Sequence, residues 1–117
     1  MFIDDKTRIS HMIEAAEEAV AFARNRSIDD IRADRALALA LVKCLEMVGE
    51  ASFKTSRNFR DDHADIPWRV MIDLRNHLVH EYHDIDIERV WITIQKDLPS
   101  ILPSLKTLRS GLDDPSV

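Results

Sequence analysis

One cysteine, Cys44, stands in 117 residues, so no internal disulfide can form and a thiolate-based zinc site is excluded. Only two glycines and four prolines punctuate the chain, which leaves few turn signals and points to long helices with short links. Aromatics make up 6%, little for a β-sandwich. No apolar run approaches the roughly 18–20 residues of a membrane span. Basic charge is not in excess: 16 Lys and Arg face 21 Asp and Glu, for a net charge of -5. A protein held to nucleic acid by bulk charge alone is therefore excluded, and any such contact must come from a local cationic site. The opening Met1-Phe2-Ile3 gives way at once to Asp4-Asp5-Lys6, so a signal peptide is not expected. The expectation is a cytoplasmic chain with no membrane partner.

What is present is ordinary for a globular domain: 45% hydrophobic and 32% charged, rich in the helix formers Ala, Leu, Arg and Glu. The length fits one domain over residues 1–117. A first helix is expected from Asp4 to Arg24, with Ile9, Ile13, Ala16, Val20 and Ala23 on one stripe. Residues 25–35 read as a polar link with one short turn, signalled by Ser27-x-x-Asp30. A second helix should run from Asp34 to Arg57. Between Ala36 and Val48 only Lys43 and Glu46 are charged, so it should be a central helix, a dimer contact, or both. Residues 58–66 read as a polar loop. Pro67 suits a first helical turn, and the third helix then carries Trp68, Met71, Ile72 and Val79 and ends near His80–His83. A fourth begins at Asp86 with Ile87, Val90, Trp91 and Ile94 inward, and Pro99 and Pro103 should interrupt it before a last segment ending near Leu112. The expected fold class is all-α, with four to five helices accounting for the chain.

Four of the five histidines fall between His63 and His83, the densest stretch being Arg75-Asn76-His77-Leu78-Val79-His80-Glu81-Tyr82-His83-Asp84. Three readings compete. Histidines at a helix end can simply bond its last carbonyls and favour its negative pole. His77, His80 and His83, spaced three apart, could hold a metal, although such a run drifts about 60° per step around a helix. The third reading is cleavage of a phosphodiester. A 2′-hydroxyl attacking phosphorus must lose its proton to a base, the leaving oxygen needs an acid, and the charge developing on phosphorus needs a cation. Histidine titrates near neutrality and can serve as either acid or base. Arginine offers a fixed fork of donors that matches phosphate oxygens, and asparagine can orient or donate without changing charge. Asn76 and His80, four apart, share one helical face. Arg75 and His80, five apart, are separated by about 140° on an ideal helix. They can reach one phosphate only if the helix end unwinds or a second copy supplies half the site.

Here the chain resembles a known family. Arg75-Asn76-x-x-x-His80-x-Tyr82 is similar to the Arg-x(4–6)-His signature of HEPN ribonucleases, in the form typical of HepT-like toxins. Leu45-Glu46-Met47-Val48-Gly49-Glu50-Ala51 resembles the family's Ile-Gly-Glu-Ala stretch, and Ile66-Pro67-Trp68 its lead into the motif helix. Asp84-Ile85-Asp86-Ile87-Glu88-Arg89-Val90-Trp91 and Asp97-Leu98-Pro99 resemble two later segments, so the likeness runs along nearly the whole chain.

The resemblance implies an up-and-down bundle of four to five helices that forms a homodimer, with two motif helices facing one cleft, and metal-independent endoribonuclease toxicity. Arg75 and His80 would be the catalytic pair, Asn76 the polar motif residue, and no cofactor would be required. The partner implied is a nucleotidyltransferase antitoxin, which in some relatives modifies the tyrosine, here Tyr82, with AMP. That adduct would add bulk and negative charge beside the catalytic cation and so block RNA. Glu81 stands where many relatives carry glycine, and His77 where a basic residue is common; neither change removes a catalytic group. Lys54, Arg57, Arg60 and Arg69 could form a basic rim for RNA, or be solvated helix-end charges. Gly49 should permit close helix contact, and Glu50 should make a structural hydrogen bond. The alternative of another class is a catalytically inactive binding module that partners a nucleotidyltransferase through the same residues.

Overall fold

The computed structural model describes residues 4–79 and 84–113, with His77 by its backbone alone. Among these residues the helices are α1 (Asp5–Ala23), α2 (Ile28–Ala33), α3 (Arg35–Lys54), α4 (Arg57–Asp62), α5 (Trp68–His77), α6 (Ile87–Ile92) and α7 (Leu98–Leu112). A π-helical turn over Thr93–Asp97 joins α6 to α7 without a break. The class is all-α, as expected.

The Asp4 carboxylate starts α1 by accepting the Thr7 N–H at 2.8 Å. The inward face of α1 is Ile9, Met12, Ala16, Ala19 and Ala23, rotated from the expected stripe, so that Ile13 and Val20 are only partly buried. The alanines on that face allow a short interhelical approach to α3. α3 is covered by α1 on one side and by α5 on another, with Leu41, Leu45 and Val48 fully buried. The expectation of a central helix therefore holds. Its remaining face is open: Leu39, Met47 and Phe53 are exposed by 47%, 44% and 48%.

Three expectations need correcting. Residues 58–66 are not all loop, because Arg57–Asp62 form α4. Its first turn is capped by Ser56, which accepts the Phe59 N–H at 3.3 Å. The Asp5 carboxylate in turn takes the Ser56 N–H at 2.8 Å and its hydroxyl at 2.7 Å. So short a helix is held by tertiary contacts, which the local pattern does not display. Phe59 supplies one such contact, its ring lying 4.4 Å from that of His63 and 6.3 Å from that of Trp68. Second, α5 stops at His77 rather than near His80–His83. The buried Leu78 follows, then an isolated antiparallel bridge from Val79 to Ile85, and the Asp86 N–H donates to the Leu78 carbonyl at 2.9 Å. Third, neither Pro99 nor Pro103 breaks the chain's last helix. The π turn ends just ahead of Pro99, with the Leu98 N–H reaching back to the Thr93 carbonyl. Pro99 thus sits in the first turn of a new register, where a missing N–H costs little. Other readings hold: Ser27 and Asp30 exchange reciprocal cap bonds at 2.8 and 3.1 Å, and Asp86 caps α6 through the Arg89 N–H at 3.1 Å.

Candidate active site

Gly49 sets the distance between α3 and α5. A Cβ there would lie 2.9 Å from the Met71 carbonyl oxygen, 3.0 Å from the Arg75 nitrogen and 3.2 Å from the Arg75 Cβ. Only hydrogen fits, so the backbones touch at the turn of α5 that carries Arg75. One residue on, the Glu50 carboxylate pairs with Arg75 at 3.3 Å and with Lys54 at 3.3 Å. The Lys54 ammonium first, and then the Arg75 guanidinium, hold the Glu50 carboxyl below its ordinary value. Phe53, four residues from Gly49 and so on the same face, lies beneath Arg75, with Cζ 3.9 Å from the ring centroid.

The Arg75 side chain is thus fixed by a carboxylate, an aromatic face and a close helix contact, yet 27% of it stays exposed. Among the described residues its Nε is buried without an acceptor. Arg75 and Asn76 together line an open groove of about 510 Å³ with Lys43, Glu46, Met47 and Glu50. The groove carries two cations and two anions, so attraction for a phosphate there depends on fork geometry more than on net field.

Of the residues singled out from sequence, Arg75 and Asn76 come together on this groove wall. His80 and Tyr82 lie outside the described residues, as do His83 and the His77 side chain, so the histidine readings fall there too. His63 is placed apart, its ring tilted at 41° against that of Phe59 while its carbonyl accepts the Trp68 indole N–H at 2.9 Å. Lys54 is tied to Glu50, whereas Arg57, Arg60 and Arg69 gather on a second groove between α4 and α5. Among the described residues no group of three or more His, Cys, Asp or Glu is arranged to hold a metal ion, and no helix is long and apolar enough to cross a membrane. Sequence reasoning missed Phe53, Lys43, Glu46 and Met47. The available signal was helical spacing around Gly49, which puts Glu46, Glu50 and Phe53 within one turn of the α5 contact.

The chain matches the family profile described as "Ribonuclease HepT-like" over residues 12–108. It is 33% identical over 104 residues to a "probable ribonuclease HepT" of Thermococcus cleftensis, a match spanning 89% of this chain and 94% of that one. It is 30% identical over 98 residues to a provisionally named RNase of Methanocaldococcus jannaschii, covering 84% and 90% of the two chains. A provisionally named RNase of Caldanaerobacter subterraneus subsp. tengcongensis is 29% identical over 100 residues, covering 86% and 89%. No solved structure matches the chain at a significant level. This protein therefore belongs to the ribonuclease HepT-like family, within the HEPN superfamily.

Proposed function

We propose that the protein is a metal-independent endoribonuclease whose chemistry centres on Arg75 and His80. The observation that carries this reading is the mounting of Arg75: a guanidinium held by Glu50 and Phe53 on the wall of an open groove, beside Asn76, in a chain of a ribonuclease family. Arg75 stabilises the charge that develops on phosphorus, Asn76 orients the phosphate or the imidazole, and His80 moves protons to or from the reacting oxygens. α5 carries Arg75 and Asn76 and ends at His77, so no continuous helix imposes the separation of about 140°.

A second copy completes the cleft. The open α3 face next to Arg75 presents Leu39 and Met47, apolar surface that a subunit contact would cover. In the cell the activity is that of a toxin, neutralised by a nucleotidyltransferase antitoxin that modifies Tyr82 with AMP. Expression in a host lacking the partner tests this reading as a whole. Growth arrest with RNA fragmentation is expected, abolished by Arg75→Ala or His80→Ala and relieved by coexpressed nucleotidyltransferase. Normal growth with intact RNA would leave only a binding module.

A further inference from the structure

The larger groove, of about 690 Å³, runs between α4 and α5 and includes Phe53, Arg57, Arg60, Trp68 and Arg69 in its walls. Its volume is in the range of sites that take nucleotide-sized ligands, roughly 300–1,000 Å³. Arg57 and Arg69 are exposed and Arg60 is half-buried. Among the described residues none of these three guanidiniums makes an ion pair, whereas Arg32, Arg75 and Arg109 each do. Asp61 and Asp73 also line the groove but pair with none of the three. The cations are therefore left for a ligand, and their fork geometry favours phosphate oxygens.

The two grooves share no wall residue, but one contact links them, the Arg75 guanidinium over the Phe53 ring. Arg75 lines the α3–α5 groove, and Phe53, which carries Arg75 on one face, is 48% exposed and lines the α4–α5 groove. An exposed aromatic set among unpaired arginines is the combination that holds unpaired nucleotides, bases on rings and phosphates on cations. We propose that the α4–α5 groove is the path of single-stranded RNA leading away from the phosphate at Arg75. Arg57, Arg60 and Arg69 contact the strand's phosphates and the free part of the Phe53 ring stacks a base. The α4 helix that carries two of these arginines is fixed by the Asp5–Ser56 bonds and the Phe59 contacts, so the path is preformed. The inference rests on the ribonuclease reading for its substrate class.

The test measures binding separately from cleavage. Full-length protein carrying His80→Ala is titrated by fluorescence anisotropy against a labelled mixed-sequence single-stranded RNA across a salt series. Adding Arg57→Gln, Arg60→Gln and Arg69→Gln should lower the slope of log K against log salt by about 0.7 for each lost contact, roughly 2 in all. Phe53→Ala should weaken binding roughly tenfold, and Phe53→Tyr should restore it. Arg24→Gln with Arg26→Gln, at the far end of α1, should leave the slope unchanged. An unchanged slope and affinity in the triple variant would overturn the proposal. So would a triple variant that changes the mass of the assembly by light scattering and leaves RNA affinity alone, since the groove would then be a subunit contact. Absence of cleavage by wild type removes the nuclease reading and leaves the binding result standing. Cleavage by wild type with an unaltered slope in the triple variant removes the RNA path alone.

Discussion

Replacing Gly49 by alanine isolates the contact that positions Arg75. In an open helix the change would stabilise, by about 0.5–1 kcal/mol of backbone entropy. Here the new methyl would lie 2.9 Å from the Met71 carbonyl oxygen and 3.0 Å from the Arg75 nitrogen. Both are backbone atoms inside a packed helix pair, so neither can turn aside as a side chain would. Either α3 and α5 separate by a few tenths of an ångström or the contact stays compressed, and overpacking of this kind costs about 1–3 kcal/mol. The net expectation is a loss of about 1 kcal/mol. At about 2.1 cal/mol/K of unfolding entropy per residue, a chain of 117 residues loses about 4 °C of Tm per kcal/mol. Gly111→Ala provides the internal control. Nothing lies within 4 Å of its added Cβ, so that variant should gain about 2–4 °C from propensity alone. Thermal unfolding followed by far-ultraviolet circular dichroism should move the two variants in opposite directions. If Gly49→Ala rises together with Gly111→Ala, the close approach of α3 to the Arg75 turn is not what the structure indicates.

Two other expectations follow from the core and from the open face of α3. The Cys44 thiol is buried, and burial, helped by its hydrogen bond to Glu18, pushes it up to about 11. It should resist Ellman's reagent at neutral pH until the protein is denatured. Because the folded value is raised, its contribution to stability is intact below about 8.5, the usual unfolded value, and is lost as the pH climbs toward 11; denaturation midpoints across that window check the sign. Met47→Asp places a charge on the exposed apolar face beside the candidate site. If a second copy packs on this face, as proposed, the variant should shift the mass seen by light scattering toward the monomer, and an unaltered mass would contradict that contact.

Much of the fold could be read in advance because its signals are local. Asp4, Ser27, Asp34 and Asp86 each cap the helix that follows through their own side chains, and the apolar span around Leu41–Val48 announces a covered helix. The short α4 was illegible, since six residues gain their order from Asp5, some 51 positions earlier, and from the Trp68 ring. The continuity of the last helix was also hidden, because a π turn compensates for Pro99 and has no sequence signature of its own. At the site, the family motif identifies Arg75 and Asn76, but not the Phe53 ring beneath the guanidinium. Phe53 reads as one more apolar residue of a helix until α5 is laid against it.

Cleavage of a labelled RNA by purified protein in EDTA, under single-turnover conditions, tests most directly whether Arg75 and His80 act on one phosphate. The wild type should cut without added metal, and Arg75→Ala and His80→Ala should each slow the reaction by roughly 10²–10³ while keeping the helical spectrum of the parent. Cleavage that requires a divalent ion, or variants that cut at the wild-type rate, would contradict the account.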